Sequence, residues 1–196
     1  KGKRYVFMKL KKWLLALAAF AVMAVVCAIA AGAETYGDFE YHVNYDGIAK
    51  ITKYTGDAKN IEIPAEINGK SVTSIGSYAF RGCTSLTNIT IPDSVTDIYG
   101  RAFERCTNLT DITIPSSVTH IGSGVFSGCT SLTEIEVATD NSSYASLNGV
   151  LYDKDKTTII CYPTGKKDKS YKIIDGATSI DSSAFEGNTS LTSVTI

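Results

Sequence analysis

The chain has very little histidine, the side chain that most often performs acid–base catalysis and binds metals. Only His42 and His120 occur among its 196 residues, and neither lies in a motif with a serine or cysteine nucleophile. The five cysteines form no CxxC pair, so the sequence offers no closely spaced zinc ligands. We therefore expect no enzymatic activity, no cofactor and no metal, and we interpret both histidines as solvated polar positions.

Basic side chains are also scarce once the amino-terminal segment is set aside. Six of the 19 Lys and Arg precede Glu34, whereas none of the 20 Asp and Glu does. Residues 34–196 therefore carry 13 basic and 20 acidic side chains, a net charge of −7. Such acidity repels phosphate groups, and no basic stripe is present, so nucleic acid is not an expected partner.

Long apolar runs are absent except near the amino terminus. Lysines that follow Met8 precede an apolar run from Trp13 to Ala31, and Ala31-Gly32-Ala33 has the small residues of a cleavage site. We predict a secretory signal peptide over residues 8–33, an upstream extension over residues 1–7, and a secreted or cell-surface location. An uncleaved anchor is the alternative, because the run has the length of a membrane span. Membrane contact is expected only through this segment, before cleavage.

A 23-residue repeat fills the middle of the chain. Its copies are VTSIGSYAFRGCTSLTNITIP from Val72, VTDIYGRAFERCTNLTDITIP from Val95 and VTHIGSGVFSGCTSLTEIEV from Val118. A unit this small cannot bury its own apolar face, so the units must stack and share one core. The sequence predicts a repeat solenoid with one short β-strand per repeat and a turn or 3₁₀ segment between strands.

The interior of this solenoid can be read from columns of apolar residues that recur at the repeat period. Each repeat ends in an Ile-x-Ile alternation, which is typical of a strand with one buried face. Pro92 and Pro115 follow it directly and end the strand. The columns contain Val72, Val95, Val118; Ile75, Ile98, Ile121; Phe80, Phe103, Phe126; Cys83, Cys106, Cys129; Leu86, Leu109, Leu132; Ile89, Ile112, Ile135.

The consensus LxxIxIPxxVxxIGxxAFxGCxS resembles the leucine-rich repeat of the BspA-like class, over about residues 58–196. Leu86, Ile89 and Ile91 occupy the positions of the LxxLxL strand. The asparagine that usually follows this strand is not matched, since serine or threonine stands near it. The resemblance implies a leucine-rich-repeat fold and a bacterial surface or secreted protein that binds other molecules.

The domain boundaries follow from departures from the repeat. Alternating apolar residues and the Asp46-Gly47 turn predict an amino-terminal capping hairpin within residues 34–57. Repeats then run over residues 58–196, interrupted by a β-hairpin excursion at residues 138–173. The chain stops on a strand at Val194-Thr195-Ile196, so we expect the repeat array to be truncated at the carboxyl terminus.

The cysteine column admits two states. Stacked strands lie about 4.8 Å apart, so Cys83, Cys106 and Cys129 are near enough for a disulfide in an oxidising space. Buried free thiols that pack as small apolar side chains are the preferred interpretation, and the sequence leaves both open.

Outward strand positions define a candidate binding surface. Equivalent positions of stacked repeats line up, so we expect a polar, mildly acidic ribbon that binds an extracellular protein or a host-cell or matrix ligand. An accessory binding module of a larger extracellular enzyme, such as a cell-wall or glycan hydrolase, is the alternative function. The ribbon consists of Glu62, Asn88, Thr90, Asp111, Thr113, Glu134 and Glu136.

Two pairs of carboxylates admit a chemical interpretation besides a structural one. Glu134 and Glu136 lie two residues apart on one strand face, as paired carboxylates for glycosidic or metal chemistry would. Asp153 and Asp155 resemble a fragment of a calcium loop, without its glycine and its remaining ligands. A solvated sheet face and a charged hairpin turn are the preferred interpretations of the two pairs.

Overall fold

The computed structural model describes residues 33–196. The predicted extension, and all of the predicted signal peptide except Ala33, lie outside the described residues. Within the described range, no helix is long and apolar enough to cross a membrane.

Short strands form the regular structure of the described chain. They are β1 (Glu34–Tyr36), β2 (Phe39–Val43), β3 (Ala49–Tyr54), β4 (Asn60–Glu62), β5 (Glu66–Ile67), β6 (Lys70–Ile75), β7 (Asn88–Thr90), β8 (Asp97–Ile98), β9 (Asp111–Ile114), β10 (His120–Ile121), β11 (Glu134–Val137), β12 (Tyr144–Leu147), β13 (Val150–Asp153), β14 (Thr158–Cys161), β15 (Ser170–Lys172), β16 (Ser179–Ile180) and β17 (Ser193–Thr195).

The strands recur with the period of the sequence repeat and form a solenoid, which confirms the predicted fold class. The centres of β7, β9 and β11 are Ile89, Ile112 and Ile135, which are buried between exposed neighbours. The sequence predicts one strand per repeat, yet each repeat has a second, for example β8 and β10. Strands β8 and β10 span only two residues each, which is too short to produce an alternating pattern.

The two sets of strands stack on different faces of the solenoid. Strands β3, β6, β8 and β10 pair in parallel in that order. On the other face, β4 pairs in parallel with β7, and β9 pairs in parallel with β11. The hairpin predicted at the amino end is present as the antiparallel pair β2 and β3, and β3 lies against the first long strand, β6. The capping role of residues 34–57 remains a prediction.

Stacked aromatic rings form the centre of the core. Phe103 lies between Phe80 and Phe126, with ring centroids 5.2 and 5.6 Å apart, and Tyr54 extends the stack from Phe80 at 5.6 Å. All four rings are buried. Burying one such side chain stabilises the fold by about 1.5–3 kcal/mol, so the column is a major source of cohesion between repeats.

The segment between the two strands of a repeat is a chain of turns rather than a continuous helix. In one repeat, the amides of Ala102, Cys106 and Leu109 donate to carbonyls three residues earlier. Other amides reach the next repeat, as when the Phe80 amide donates to the Ala102 carbonyl at 2.8 Å. The turn segments therefore bond the repeats to each other as well as closing each repeat.

The four cysteines of residues 33–196 are free thiols. Cys106 and Cys129 are fully buried, and each thiol donates to a backbone carbonyl of the preceding repeat, of Phe80 at 3.0 Å and of Phe103 at 3.1 Å. Cys83 is partly buried. The column thus packs as small side chains whose S–H groups are satisfied by the backbone.

Residues 138–173 form a larger unit than the predicted two-stranded hairpin. Strands β12, β13 and β14 pair antiparallel, and β14 then pairs in parallel with β16 of the following repeat. Buried Tyr152 and Tyr162 form a second small core with partly buried Tyr171 and Phe185. The first strand of the unit was missed because Tyr144-Ala-Ser-Leu147 has no apolar alternation.

Asn141 anchors the start of this unit. It is fully buried, and its side-chain amide donates to the carbonyls of Pro115 and Val118 at 2.8 and 3.0 Å. Its side-chain oxygen accepts from the amides of Ser143 and Tyr144, both at 2.8 Å. A single side chain therefore ties the excursion to the preceding repeat and satisfies four backbone groups.

Candidate binding ribbon

The ribbon residues project from strands β4, β7, β9 and β11. All seven side chains are exposed, whereas the isoleucines between them point into the core. This arrangement follows from the pleat, because successive residues of a strand face opposite sides. Whether these residues bind a ligand stays a prediction; their common exposure and their register are structural facts.

Parallel register aligns the ribbon across neighbouring repeats. Glu134 lies opposite Asp111, Glu136 opposite Thr113, and Glu62 opposite Thr90. Paired residues of neighbouring strands are separated by about 5 Å, so each pair can contact one ligand together.

The ribbon is divided by a break in the sheet. Strands β4 and β7 form one two-stranded sheet and β9 and β11 another, and β7 and β9 form no ladder with each other. A groove of about 490 Å³ lies at this break. Four ribbon residues line it, namely Asn88, Thr90, Asp111 and Thr113.

Three further polar residues complete the groove, and the sequence analysis missed them. Asp93, Ser116 and Asp140 line it from the turns that follow the strands. Asp93 and Ser116 are 23 residues apart and each follows a proline, so the repeat period was a signal for both. Asp140 belongs to the irregular segment after β11, where no period applies. Glu62, Glu134 and Glu136 do not line the groove.

The threonines beside the ribbon serve the backbone. The hydroxyl of Thr87 donates to the Lys59 carbonyl at 3.0 Å and that of Thr133 to the Thr110 carbonyl at 3.4 Å, whereas the Thr110 hydroxyl donates to the Asp111 carboxylate at 2.7 Å. Thr87 and Thr133 thus link neighbouring turns of the solenoid beside this face. These hydroxyls are less available to a ligand than those of Thr90 and Thr113.

The excursion ends the ribbon at β11. The Ile135 amide donates to the Gly149 carbonyl at 3.0 Å, so the outer edge of β11 is occupied by the turn between β12 and β13. Gly149 has a φ of +76°, and a Cβ there would lie 3.2 Å from the Glu134 Cα. Close approach and a left-handed backbone both favour glycine at this position.

The ribbon is electrostatically negative. Asp111, Glu134 and Glu136 are aligned on neighbouring strands, and among residues 33–196 no ion pair involves a ribbon carboxylate. Aligned carboxylates attract cationic groups and repel anionic ones, so they select for the charge of a partner.

The surroundings of the residues considered for catalysis or metal binding give these residues structural interpretations. Within the described part of the chain, no group of three or more His, Cys, Asp and Glu side chains could hold a metal ion. His120 is exposed and contacts Tyr99 edge-on, with ring centroids 5.7 Å apart. Glu134 and Glu136 share an exposed sheet face, as the preferred interpretation has it.

Asp153 closes the hairpin turn between β13 and β14. Its carboxylate accepts from the Thr157 hydroxyl at 2.6 Å and from the Thr158 amide at 2.8 Å. Desolvation works to raise the pKa of Asp153, but these hydrogen bonds outweigh it, and the pKa lies below its ordinary value. The Asp153 carboxylate therefore has a structural role in the hairpin turn.

These observations define a class of protein: a leucine-rich-repeat solenoid, which is an architecture that presents extended binding faces. The family can also be stated. Residues 50–151 and 161–196 match the profile of the BspA type leucine rich repeat region in six copies, and the chain belongs to this family.

Several solved structures are similar to this chain. A leucine-rich repeat protein from Bacteroides ovatus ATCC 8483 is 28% identical with a TM-score of 0.58, over 83% of this chain and 41% of that chain. A leucine rich cell surface protein from Faecalibacterium prausnitzii A2-165 is 23% identical with a TM-score of 0.47, over 84% and 76% of the two chains. The pneumococcal vaccine antigen PcpA is 21% identical with a TM-score of 0.44, over 83% and 64%.

The present chain therefore spans less than half the length of the Bacteroides ovatus structure. A search of curated proteins finds no match.

Proposed function

We propose that this chain is a secreted or cell-surface binding module that recognises an extracellular protein through the ribbon and performs no catalysis of its own. The observation that carries the proposal is the alignment of exposed polar side chains in register on a rigid, fully packed solenoid. A face of this kind is preorganised, so little conformational entropy is lost when a partner docks.

The proposed location rests on the amino-terminal sequence. Lysines, an apolar run and a small-residue cleavage site are the features of a secretory signal peptide. The proposed partner is a protein or matrix component that presents basic groups, because the ribbon carries aligned carboxylates and the groove adds Asp93 and Asp140.

Charge reversal tests the ribbon directly. The triple variant Asp111→Lys, Glu134→Lys, Glu136→Lys should keep the fold, because these side chains are exposed and make no ion pair in residues 33–196. We expect each matrix protein bound by the parent chain to be bound at least tenfold more weakly, as measured by surface plasmon resonance on purified extracellular matrix proteins. A tenfold loss corresponds to about 1.4 kcal/mol.

The matched control reverses three exposed aspartates away from the ribbon. The variant Asp46→Lys, Asp57→Lys, Asp155→Lys changes the net charge by the same amount and should bind as the parent chain does. Equal binding by the parent chain and the ribbon variant would show that the ribbon is not the binding surface. Equal loss in both variants would show that net charge, rather than the ribbon, governs binding.

A further inference from the structure

Each regular repeat holds two residues with left-handed backbone in its turn segment. The first column contains Tyr78 (φ +62°), Arg101 (φ +58°) and Gly124 (φ +64°), spaced by 23 residues. The second column contains Gly82 (φ +71°), Arg105 (φ +61°), Gly128 (φ +74°) and, in the last repeat, Gly187 (φ +79°). Glycine adopts this conformation without strain, whereas a residue with a Cβ does not.

Within residues 33–196, ion pairs account for only one of the three exceptions. The Arg101 guanidinium forms ion pairs with Glu104 at 2.9 Å and with Glu186 at 3.4 Å, and these interactions offset the backbone strain. Arg105 has no ion pair in the described part of the chain, and its stem rests against Gly128. Tyr78 is 47% exposed, and its ring lies 5.4 Å from the Arg81 guanidinium carbon.

Tyr78, Arg81 and Arg105 lie together on the turn face, which is the side of the solenoid formed by the turn segments between the two strands of each repeat. The Gly82 amide donates to the Glu104 carbonyl at 2.7 Å, so the turn that carries Arg81 lies directly against the turn that carries Arg105. The three arginines of the described residues, with Arg101 as the third, are all on this face. An otherwise acidic chain thus concentrates its guanidinium groups beside an exposed tyrosine, and we name Tyr78, Arg81 and Arg105 the turn-face patch.

Tyrosine and arginine are the residue types that dominate binding energy at protein interfaces. Strained residues that persist without an internal reason are also a mark of functional surfaces. Exposure and residue type point to all three side chains, and backbone conformation points in addition to Tyr78 and Arg105.

We propose that the turn-face patch is a second binding surface, separate from the ribbon, for a carboxylate-rich segment of a protein partner. Arginine pairs with carboxylates in planar, bidentate geometry, and Arg81 and Arg101 already bind Glu104 within this face. Arg105 supplies a guanidinium that forms no ion pair in residues 33–196, and Tyr78 supplies a rigid apolar contact. Two glutamates offset part of the positive charge, so a peptide segment fits this patch better than a densely sulfated polysaccharide does.

Glycine substitution separates binding from stability at this site. The variant Tyr78→Gly, Arg105→Gly removes both side chains and relieves both left-handed positions, so its thermal midpoint should be unchanged or higher. We expect it to bind a fluorescein-labelled ten-residue polyglutamate peptide at least tenfold more weakly than the parent chain, measured by fluorescence anisotropy at low ionic strength. Added salt should weaken binding by the parent chain.

The matched control is Tyr45→Gly, Lys156→Gly. Tyr45 is 99% exposed on the amino-terminal hairpin, and Lys156 is a cationic residue with φ +57° in another turn. This variant also loses one tyrosine, one cation and one strained position, and it should bind the peptide as the parent chain does.

Three results would overturn the proposal. Parental affinity in the glycine variant would exclude Tyr78 and Arg105 from binding. A lowered thermal midpoint in that variant would assign the two side chains to the fold. Binding of heparin, together with failure to bind polyglutamate, would replace the proposed peptide partner with a sulfated polysaccharide.

Discussion

At the scale of single residues, the side chains that hold the irregular parts together are polar. Asn141 satisfies four backbone groups, and threonine hydroxyls bridge consecutive repeats at Thr87 and Thr133. Nothing in the composition distinguishes these residues from surface threonines and asparagines. Their roles depend on which carbonyl lies opposite, which only the folded backbone determines.

Replacing Asn141 by alanine should be costly. The variant leaves the carbonyls of Pro115 and Val118 and the amides of Ser143 and Tyr144 without their side-chain partner in a buried place. We expect the free energy of unfolding to fall by about 3 kcal/mol, measured by urea denaturation. Ser142→Ala, at the exposed neighbouring residue, should change it by less than about 0.5 kcal/mol. A loss of that small size for Asn141→Ala would contradict the anchoring role.

At the scale of elements, the ring stack couples neighbouring repeats through the buried core. Phe103→Ala removes the central ring between Phe80 and Phe126 and leaves a cavity. We expect a loss of about 3–5 kcal/mol in the free energy of unfolding, measured by urea denaturation. Phe103→Leu keeps most of the apolar volume and should lose clearly less. Similar losses in both variants would mean that ring stacking, rather than filled volume, stabilises the column.

The repeat period was sufficient to predict the elements that obey it. Phe80, Phe103 and Phe126 were assigned to the interior from spacing alone, and they form the central stack. Elements shorter than one alternation, such as β8 and β10, carry no pattern and were missed. The groove was beyond prediction, because its place depends on β7 and β9 failing to form a ladder, and their sequences resemble those of strands that do pair.

At the scale of the whole described chain, polar links join the turns on either side of the excursion. Glu186, from the last repeat, accepts from the Ser127 hydroxyl at 2.9 Å and pairs with Arg101 at 3.4 Å. The Ser123 hydroxyl likewise donates to the Asp181 carboxylate at 2.9 Å. The solenoid therefore continues across an insertion through side chains as well as through the β14 and β16 pairing.

This link predicts a pH dependence. The hydrogen bond from Ser127, then that from Ser183 and then the attraction of Arg101, lowers the pKa of Glu186 below its ordinary value of 4.5. A carboxyl group with a depressed folded pKa stabilises the fold above its unfolded pKa, and this stability is lost as pH falls through the folded pKa. We expect the thermal midpoint to fall on acidification below pH 4.5, and Glu186→Gln to show a smaller fall. Identical pH profiles of the parent chain and Glu186→Gln would contradict this role, and Glu62→Gln, at an exposed residue that forms no ion pair in residues 33–196, serves as the control.

Stacked rings, parallel ladders and inter-repeat carbonyl bonds all run across the turns of the solenoid, and this has a mechanical consequence. A force applied to the two ends of the chain loads these contacts one repeat at a time rather than all together. The repeats would then unfold one after another, and each would release about 80 Å of extended chain, from 23 residues at about 3.4 Å each. A tethered solenoid of this kind would lengthen in steps under flow. Each step would limit the tension on a ligand bound to its faces.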